Sequence, residues 1–547
     1  MDARHRASVL RSHHRHDRGD AGQWHVAPGV ESDPRCQPAR QLFLHLSRRG
    51  DRQRRAHLSA VAMAAGHRRR PRAAGARLLH VHRRDAPRLC ADHPAKRRPR
   101  RTARVTFARP NSARPDFARP DLARPNLGCD MTRKVGVFHP GTQHSWQTAR
   151  ALQDTDRLGW YATSIFYRGD RWPYRALPYL PAELRQRLTA EFGRFYHPSL
   201  SPELIWTFGF HEWIERGLSR AGLRRLAAKV NTAGNEAFAK SVCGLIARAP
   251  VAAVWGYDTS SADVFAYAKQ RGIVRILDKT IGDPRVYNAM MQEIYEEYKP
   301  FFSSPRFAVP QSTIDLQDRE YTLADGIVVG SDFCRDTILD PRARPDLAGK
   351  IDVLPYCYDD VFFKPGPPPL RPTDRPVRFL FLGQAGPRKG IHLLLKAFAR
   401  LPRNAATLTI VGQLQVPSAT FRQYADLVTL IPTVPRAAVA DYLRESDCLV
   451  FPTYFEGSPI TIYEALACGC AVIQSKNSNL DAIPHAGMAL ERLDEDAVHA
   501  ALMYVIDNRD VLQSWQQAAP PIAEGFTIAA YEKAVLTYLD KILGTKG

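Results

Sequence analysis

Two doubly wound α/β halves, one after the other, are the architecture this sequence predicts, behind a basic leading segment that has no core of its own. Three observations predict it. Short apolar strands alternate with Gly-bearing turns and helical patterns from Val135 onward, which suits sheets covered on both faces. A proline-rich stretch, Gly366-Pro-Pro-Pro-Leu-Arg-Pro372, reads as a linker between two runs of that pattern. Charge is also confined: 30 of the 77 Lys and Arg, but 11 of the 55 Asp and Glu, fall in residues 1–130. The net charge of +22 therefore belongs to the first quarter of the 547 residues, and the rest is nearly neutral.

Residues 1–130 are rich in Arg, His, Ala and Pro and hold 11 of the 18 histidines. Arg68-Arg69-Arg70 and Lys96-Arg97-Arg98 have no apolar face beside them, and such composition buries too little surface to offset chain entropy. A five-residue repeat, Ala-Arg-Pro-Asn/Asp-x from Ala108, Ala113, Ala118 and Ala123, is similar to a pentapeptide solenoid. Four units are few for a stack, and Pro removes a ladder donor in each. The segment reads as a basic disordered arm for nucleic acid or an anionic surface, as a solvated tail, or as translated upstream sequence with Met131 as the true start. The last reading is favoured, because a strand signal follows Met131 at once, and nucleic acid is then no partner. Near Met1 there is no apolar signal core, and no run of about 18 apolar residues predicts a membrane span. Beyond residue 130 the cysteines sit mostly in apolar runs without metal-site spacing, as buried hydrophobes of a cytoplasmic protein.

The first half spans 131–357. Val135-Gly-Val-Phe138 is a strand, His139-Pro-Gly141-Thr-Gln-His144 a turn, and a helix starts near Ser145 with Trp146, Ala149 and Leu152 on one side. Within residues 160–230, Tyr167–Tyr174 and Pro178–Pro181 mix aromatics with Arg and Pro and predict a loop-rich insertion beside an acceptor. Farther along, Trp213 to Lys229 reads as a helix with Leu218 and Leu226 on one side. Its other side carries Arg216, Arg220, Arg224, Arg225 and Lys229, a pattern that suits either a core-facing helix or an anionic bilayer. Val251–Trp255 and Ile273–Leu277 are strands, and the loops after them carry Asp258 and Asp278. Ligands of open α/β sheets gather at the carboxyl ends of strands, so both loops should face a cleft. Ala324 to Phe333 reads as a strand with Ser331 as the next helix's N-cap. Ile351 to Pro365, with Tyr356 in it, reads as the crossover to the second half.

The second half spans 366–525. Val377–Leu382 is a strand, followed by Gly383-Gln-Ala-Gly386-Pro-Arg388-Lys389-Gly390 and a helix from Ile391. Glycines admit a diphosphate close to the backbone, and Arg388 and Lys389 bring positive charge to it. The Lys precedes its Gly and no Lys-Ser/Thr pair follows, so this is no Walker A loop. Thr407–Val411 is the next strand, with Gly412 at its exit. Val428–Ile431 follows, then a helix around Val439–Leu443 and the buried strand Cys448–Phe451. The loop Glu456-Gly457-Ser458-Pro459 then opens a helix from Thr461 and Ile462 to Cys468, and Ala471–Ile473 is another strand. Glu456 and Glu464 flank a helix N-terminus, a natural anion site. Residues 526–547 end in an amphipathic helix bearing Tyr531, Val535, Tyr538, Leu539 and Ile542.

The stretch Phe451–Ile473, with Glu456-Gly457-Ser458-Pro459 and Glu464-Ala-Leu-Ala-Cys-Gly469, resembles the Glu-x7-Glu signature of family 4 (group 1 type) glycosyltransferases. Lys389-Gly390, Ala324–Phe333 and Ser446–Thr453 resemble that family's motifs too. Asn477-Ser478 and Asp481-Ala-Ile483 are similar to a loop and helix found late in its donor domain. The resemblance implies the GT-B fold: two Rossmann-like domains facing a central cleft, the last helix crossing back to the first. It implies a retaining transfer of sugar from a UDP- or GDP-linked donor to a hydroxyl of a glycan or lipid-linked acceptor, without a catalytic metal. No Asp-x-Asp metal motif stands at a strand end. Glu456, Lys389, Arg388 and Asp258 are then the catalytic candidates. Gly383, Gly386, Gly390, Gly412, Gly457, Ser458, Pro459, Thr461, Ile462 and Glu464 are donor-binding candidates, and Gly141 and Asp278 lie on the acceptor side. Two departures stand out. Gln384 occupies a position where relatives have Arg, and the loop after Trp255 offers Tyr257 and Asp258 where relatives have His. A non-catalytic GT-B binding protein, or a binder acting through residues 1–130, are the rival functions. A phosphorylase would need a cofactor lysine, for which no signal is visible. The implied place is the cytoplasm, at the inner face of a membrane.

Overall fold

The computed structural model describes residues 133–141, 144–172, 174–366, 375–479 and 485–544. The readings of residues 1–130, of the linker beyond Gly366 and of Asp481–Ile483 lie outside them, as do the side chains of Arg220, Arg224 and Arg225. The first domain is built on seven strands: β1 (Val135–His139), β2 (Leu158–Thr163), β3 (Ile205–Thr207), β4 (Ala253–Tyr257), β5 (Val274–Lys279), β6 (Gly326–Val329) and β7 (Ile351–Val353). They lie in the order β3-β2-β1-β4-β5-β6-β7, and every pair is parallel. The second domain has β8 (Val377–Leu382), β9 (Ala406–Val411), β10 (Thr429–Ile431), β11 (Cys448–Phe451), β12 (Ala471–Ser475) and β13 (Gly487–Leu490). Their order is β10-β9-β8-β11-β12-β13, again parallel throughout.

The strand period explains the two-sided cores. In β8, Val377, Phe379 and Phe381 enter one apolar cluster, while Leu380 and Leu382 enter the other. In β1, Val135 and Val137 face one side and Phe138 the other. Parallel strands buried on both faces read as unbroken apolar runs, as these do. In each sheet the strand order reverses once, between β1 and β4 and between β8 and β11. Those switch points are where an open parallel sheet leaves a crevice at its carboxyl edge.

One expectation holds in part and another needs correction. Residues 167–172 lie outside helix and strand, as expected, but Pro178 and Tyr179 belong to a 3-10 helix, Tyr174–Tyr179. Strand β2 starts at Leu158, helix Ala182–Phe192 follows, β3 then pairs with β2 at Tyr161, Ala162 and Thr163, and helix Phe210–Arg220 comes after it. Strand β3 has three half-exposed or exposed residues, so only its pairing makes it a strand. Trp213 to Lys229 is not one helix but the end of Phe210–Arg220 and the start of Arg224–Arg248. Gly222 takes φ +77, Leu223 N–H bonds Leu218 O at 2.9 Å, and Gly222 N–H bonds Ser219 O at 3.1 Å. That pair of bonds is a Schellman stop, which a glycine in the left-handed region permits. The continuous basic amphipathic helix is thus absent, and Arg216 pairs with Glu212 at 2.8 Å. Beyond Asn477, β13 and helices Glu495–Asp507 and Arg509–Ala523 complete the second domain, with elements that the sequence pattern did not single out.

The two domains exchange helices. The last helix, Ile528–Gly544, buries Ile528, Tyr531, Val535, Tyr538 and Leu539 in the core of the first sheet. Helix Pro284–Tyr298, from the first domain, places Met291, Ile294 and Tyr298 in the core of the second. Each such side chain contributes roughly 1.5–3 kcal/mol by burial, so the carboxyl edges of the sheets are held facing each other.

Candidate active site

The second-domain side begins at the carboxyl end of β8. A short 3-10 turn, Pro387–Lys389, follows Gly386, and Gly390 opens helix Ile391–Ala399. This turn aims Lys389 at the loop after β11, where its ammonium bonds the Glu456 carboxylate and stands 4.4 Å from the centre of the Phe451 ring. Burial lowers the Lys389 pKa; Glu456 opposes that and Arg388 adds to it. The Arg388 guanidinium donates to Phe455 O at 2.6 Å and lies 3.6 Å from Glu456. Ser475 Oγ at the end of β12 donates to Thr453 O at 2.6 Å, and Asn477 holds Tyr454 O at 2.7 Å. The loop after β11 is therefore tied on both sides.

Helix Ile460–Ala467 follows, with Ser458, Pro459, Thr461 and Ile462 at its entrance. Glu464 sits in the interior of that helix, buried, and accepts from the Arg436 guanidinium at 2.6 Å. Burial pushes its pKa up to about 7; Arg436 pulls it down and Asp359 pushes it further up. Gly383 and Gly412 lie side by side at the exits of β8 and β9, Gly383 N–H bonding Val411 O at 2.9 Å and Gly412 N–H bonding Ile431 O at 2.9 Å.

From the first domain, the loops after β1 and β4 form the opposing wall. Gly141 O accepts from His139 at 2.8 Å, and the His139 ring meets Tyr257 edge-on at 5.3 Å. Burial lowers the His139 pKa against the Gly141 bond and the Asp258 charge. His144 stacks on Tyr356 at 4.5 Å. Its pKa falls to about 4, first through burial, then through the positive Arg436 and His139, while Glu456 opposes. The Tyr356 ring on which His144 stacks belongs to the residue whose N–H meets Ser458 Oγ of the second domain at 3.2 Å.

Asp258 and Asp278 have different surroundings. Asp258 is paired with Lys279 at 2.8 Å and accepts from Thr280 Oγ1 at 2.9 Å. Burial would raise its pKa, but Lys279 and Thr280 outweigh burial and hold it below the usual carboxylate value. It is therefore a charged member of a buried ion pair. Asp278 accepts from Trp255 Nε1 at 3.0 Å and from the Tyr356 hydroxyl. Burial raises its pKa to about 7, the Tyr356 and Trp255 bonds opposing and Asp258 adding.

The interdomain seam is tight. Ser331 caps its own helix at Cys334 N and also donates to Gly457 O at 2.6 Å. A Cβ on Gly457 would sit 1.9 Å from Thr280 O. Tyr356 N–H donates to Ser458 Oγ at 3.2 Å.

Sequence reasoning missed Arg436, His139, His144, Lys279 and Glu320 as site residues. Glu320 accepts the amides of Thr259 and Ser261 at 2.8 and 2.7 Å and so shapes the loop after β4. Arg436 follows the loop after β10 directly, and both histidines stand in the first turn. Those positions were legible, but what they touch was not.

Residues 367–521 match the family model of glycosyl transferases group 1. Among curated proteins, a D-inositol 3-phosphate glycosyltransferase of Segniliparus rotundus is 31% identical over 149 residues, 24% of this chain and 33% of that protein. A PGL/p-HBAD biosynthesis rhamnosyltransferase of Mycobacterium bovis is 31% identical over 166 residues, 28% of this chain and 33% of that protein. The chain spans about a third of the length of these relatives in the aligned region. Among solved structures, sucrose-phosphate synthase from Thermosynechococcus elongatus is similar in fold, with a TM-score of 0.52 and 15% identity over 76% of this chain and 100% of that one. The fold is GT-B.

Proposed function

We propose that this chain, whose residues 367–521 belong to the group 1 glycosyltransferases, moves a sugar from a nucleoside diphosphate sugar to a hydroxyl acceptor with retention of anomeric configuration. The observation that carries the reading is the convergence of Lys389, Arg388 and Glu456 at the carboxyl ends of β8 and β11, beneath the loops of the first domain. The departing nucleoside diphosphate develops negative charge, and preorganised cations and amides stabilise such charge best in a dry site. Lys389 and Arg388 supply the cations, and the entrance of helix Ile460–Ala467 supplies amides. No step is assigned to a metal. Glu464 accepts from the ribose hydroxyls, and Glu456 accepts from a sugar hydroxyl and sets the ring against the acceptor.

Melting the full chain with a panel of nucleoside diphosphates and their sugars tests this. A ligand that binds the native state raises the melting temperature. One base should give a selective rise, absent in Glu464→Ala. A carboxyl accepts ribose hydroxyls more strongly when ionised, so the rise should be larger at pH 8 than at pH 6, on either side of the Glu464 pKa of about 7. Glu464→Gln should flatten that difference. A folded chain that responds to no nucleotide overturns the reading.

The acceptor is a glycan or a lipid-linked glycan, and the working place is the cytoplasmic face of an anionic membrane. Three large aromatics, Trp172, Tyr179 and Phe210, are 76%, 89% and 73% exposed, all within one stretch of the first domain. Residues 165–229, which contain them, hold 11 Lys and Arg against 6 Asp and Glu. Interfacial aromatics beside Arg suit an anionic bilayer surface. Among the described residues no helix is long and apolar enough to cross a membrane. The chain should sediment with anionic vesicles more than with zwitterionic ones, and Trp172→Ala with Tyr179→Ala should reduce that. Equal sedimentation with both vesicle types removes the membrane from the reading.

A further inference from the structure

Tyr356 lies in the crossover after β7, and the donor loop, the first turn and the floor of the first domain all meet at it. Its ring is buried and stacks on His144 at 4.5 Å with 28° between planes. Its hydroxyl donates to Asp278 at the end of β5. Its backbone N–H donates to Ser458 Oγ at 3.2 Å, two residues before helix Ile460–Ala467 and two after Glu456. The neighbouring Cys357 O is held by Gln147 Nε2 at 2.7 Å, from the helix after the first turn.

The loop after β11 also meets the first domain through the Phe455 ring, edge-on to Tyr287 and Phe333 at 5.2 and 5.5 Å, through close backbone approaches and through one hydroxyl. Gly330 is packed so tightly that a Cβ there would lie 2.4 Å from Ser458 Cβ, and Ser331 donates to Gly457 O at 2.6 Å. Tyr356 differs in being anchored at both ends. Its far end rests on Asp278, a buried carboxyl with which no Lys or Arg forms an ion pair among the described residues. A buried carboxyl without a cation is unfavourable for folding, and an apolar residue would pack there at lower cost. What Asp278 does in return is hold the Tyr356 phenol, and beside it the Trp255 indole, in one place.

We propose that Tyr356 is a positioning residue for sugar transfer, fixed by Asp278 and His144 so that its backbone holds Ser458, and with it the Glu456 loop, against the acceptor domain. The proposal rests on the glycosyltransferase reading and adds to it a residue outside the donor-binding motifs. A loop held in one position keeps Glu456 aligned on the sugar and keeps water from the reacting carbon. A loop that swings leaves donor binding in place but lets water compete with the acceptor hydroxyl. In both outcomes the bond from the anomeric carbon to the diphosphate oxygen breaks, and the new bond goes to an acceptor oxygen or to water.

Tyr356→Phe keeps the stacked ring and removes the hydroxyl. A hydrogen bond to a buried carboxylate, when lost, changes a rate by roughly 10- to 100-fold. The variant should lose about that factor in kcat for transfer, keep donor KM and the nucleotide-induced melting shift within about twofold, and hydrolyse a larger share of its donor. Asp278→Ala, which removes the acceptor, should give the same kcat, and the double variant should be no slower than either single one. Loss of kcat matched by an equal loss of donor affinity, or no loss at all, overturns the proposal. Hydrogen exchange provides a measurement that needs no substrate. Amides of residues 457, 458 and 460–462 should exchange roughly tenfold faster in Tyr356→Phe while β11 and β12 stay unchanged. If the wild type responds to no sugar nucleotide, the donor reading fails. Unchanged exchange at those amides fails the positioning role separately.

Discussion

Lys389→Ala should lower kcat/KM for sugar transfer by about 10²–10³, the usual effect of removing one donor aimed at developing negative charge. The physical case starts from burial. Lys389 is largely withdrawn from water, and burial alone disfavours its charge. Glu456 keeps it charged before any ligand arrives, through their direct ion pair. A diphosphate arriving beside it adds a second anion, so the ammonium is more firmly charged when the leaving group needs it. The variant removes this cation and also leaves Glu456 with only Arg388, 3.6 Å away. Lys389→Arg should restore little, because a larger planar guanidinium cannot occupy the place of a compact ammonium held between Glu456 and the Phe451 ring. The measurement is steady-state transfer from the nucleotide sugar found by thermal shift, with fold checked by melting. A loss below about tenfold in a folded Lys389→Ala protein would move the charge-stabilising role away from this residue.

Gly457→Ala should be nearly as damaging, by a different route. The added methyl would sit 1.9 Å from Thr280 O and 2.8 Å from Thr280 C, both backbone atoms of the first domain. Backbone cannot rotate away as a side-chain tip can, so one domain must shift relative to the other. Misplacing a reacting group by about 1 Å can cost about 10² in rate, so kcat should fall by about that factor. Both domains keep their own cores, and the melting temperature should change much less than the rate. Ser331→Ala, which removes the hydroxyl that holds Gly457 O and caps Cys334 N, should have the same direction in rate and a smaller size. Wild-type activity in Gly457→Ala would mean that the closed seam is not the state in which transfer occurs.

How much of this was legible beforehand differs by element. Strands such as Val377–Leu382 and Cys448–Phe451 announce themselves, because buried parallel strands are unbroken apolar runs bounded by glycine or proline. Strands β3 and β13 do not. Residues Ile205–Thr207 are half-exposed or exposed, and Gly487–Leu490 begins with Gly and has mixed burial. Their hydrogen-bond partners, β2 and β12, make them strands. The Trp213–Lys229 reading failed on one glycine. Its apolar spacing carried through Gly222, but the turn there ends one helix before the next begins.

The candidate site divides in the same way. Glu456, Lys389 and Glu464 could be named from spacing around two Gly-bearing loops, and the structure puts Lys389 on Glu456. What Glu464 touches, Arg436, lies 28 residues earlier, and no local pattern connects them. Asp258 and Asp278 look alike in sequence, each following a strand. The structure pairs one with Lys279 and the other with Trp255 and Tyr356. That difference gives one carboxyl a lowered pKa and the other a raised one.

The sequence by itself determined the class of fold, the glycosyltransferase resemblance and the loops that carry charge. Those properties are written in short-range order: strand runs, glycine turns, helix starts and the residues next to them. Tertiary structure alone decided the exchange of helices between domains, the seam at Gly457 and Ser458, and the ionisation of each buried acid. These depend on which atoms meet across hundreds of residues, and on how little water remains where they meet.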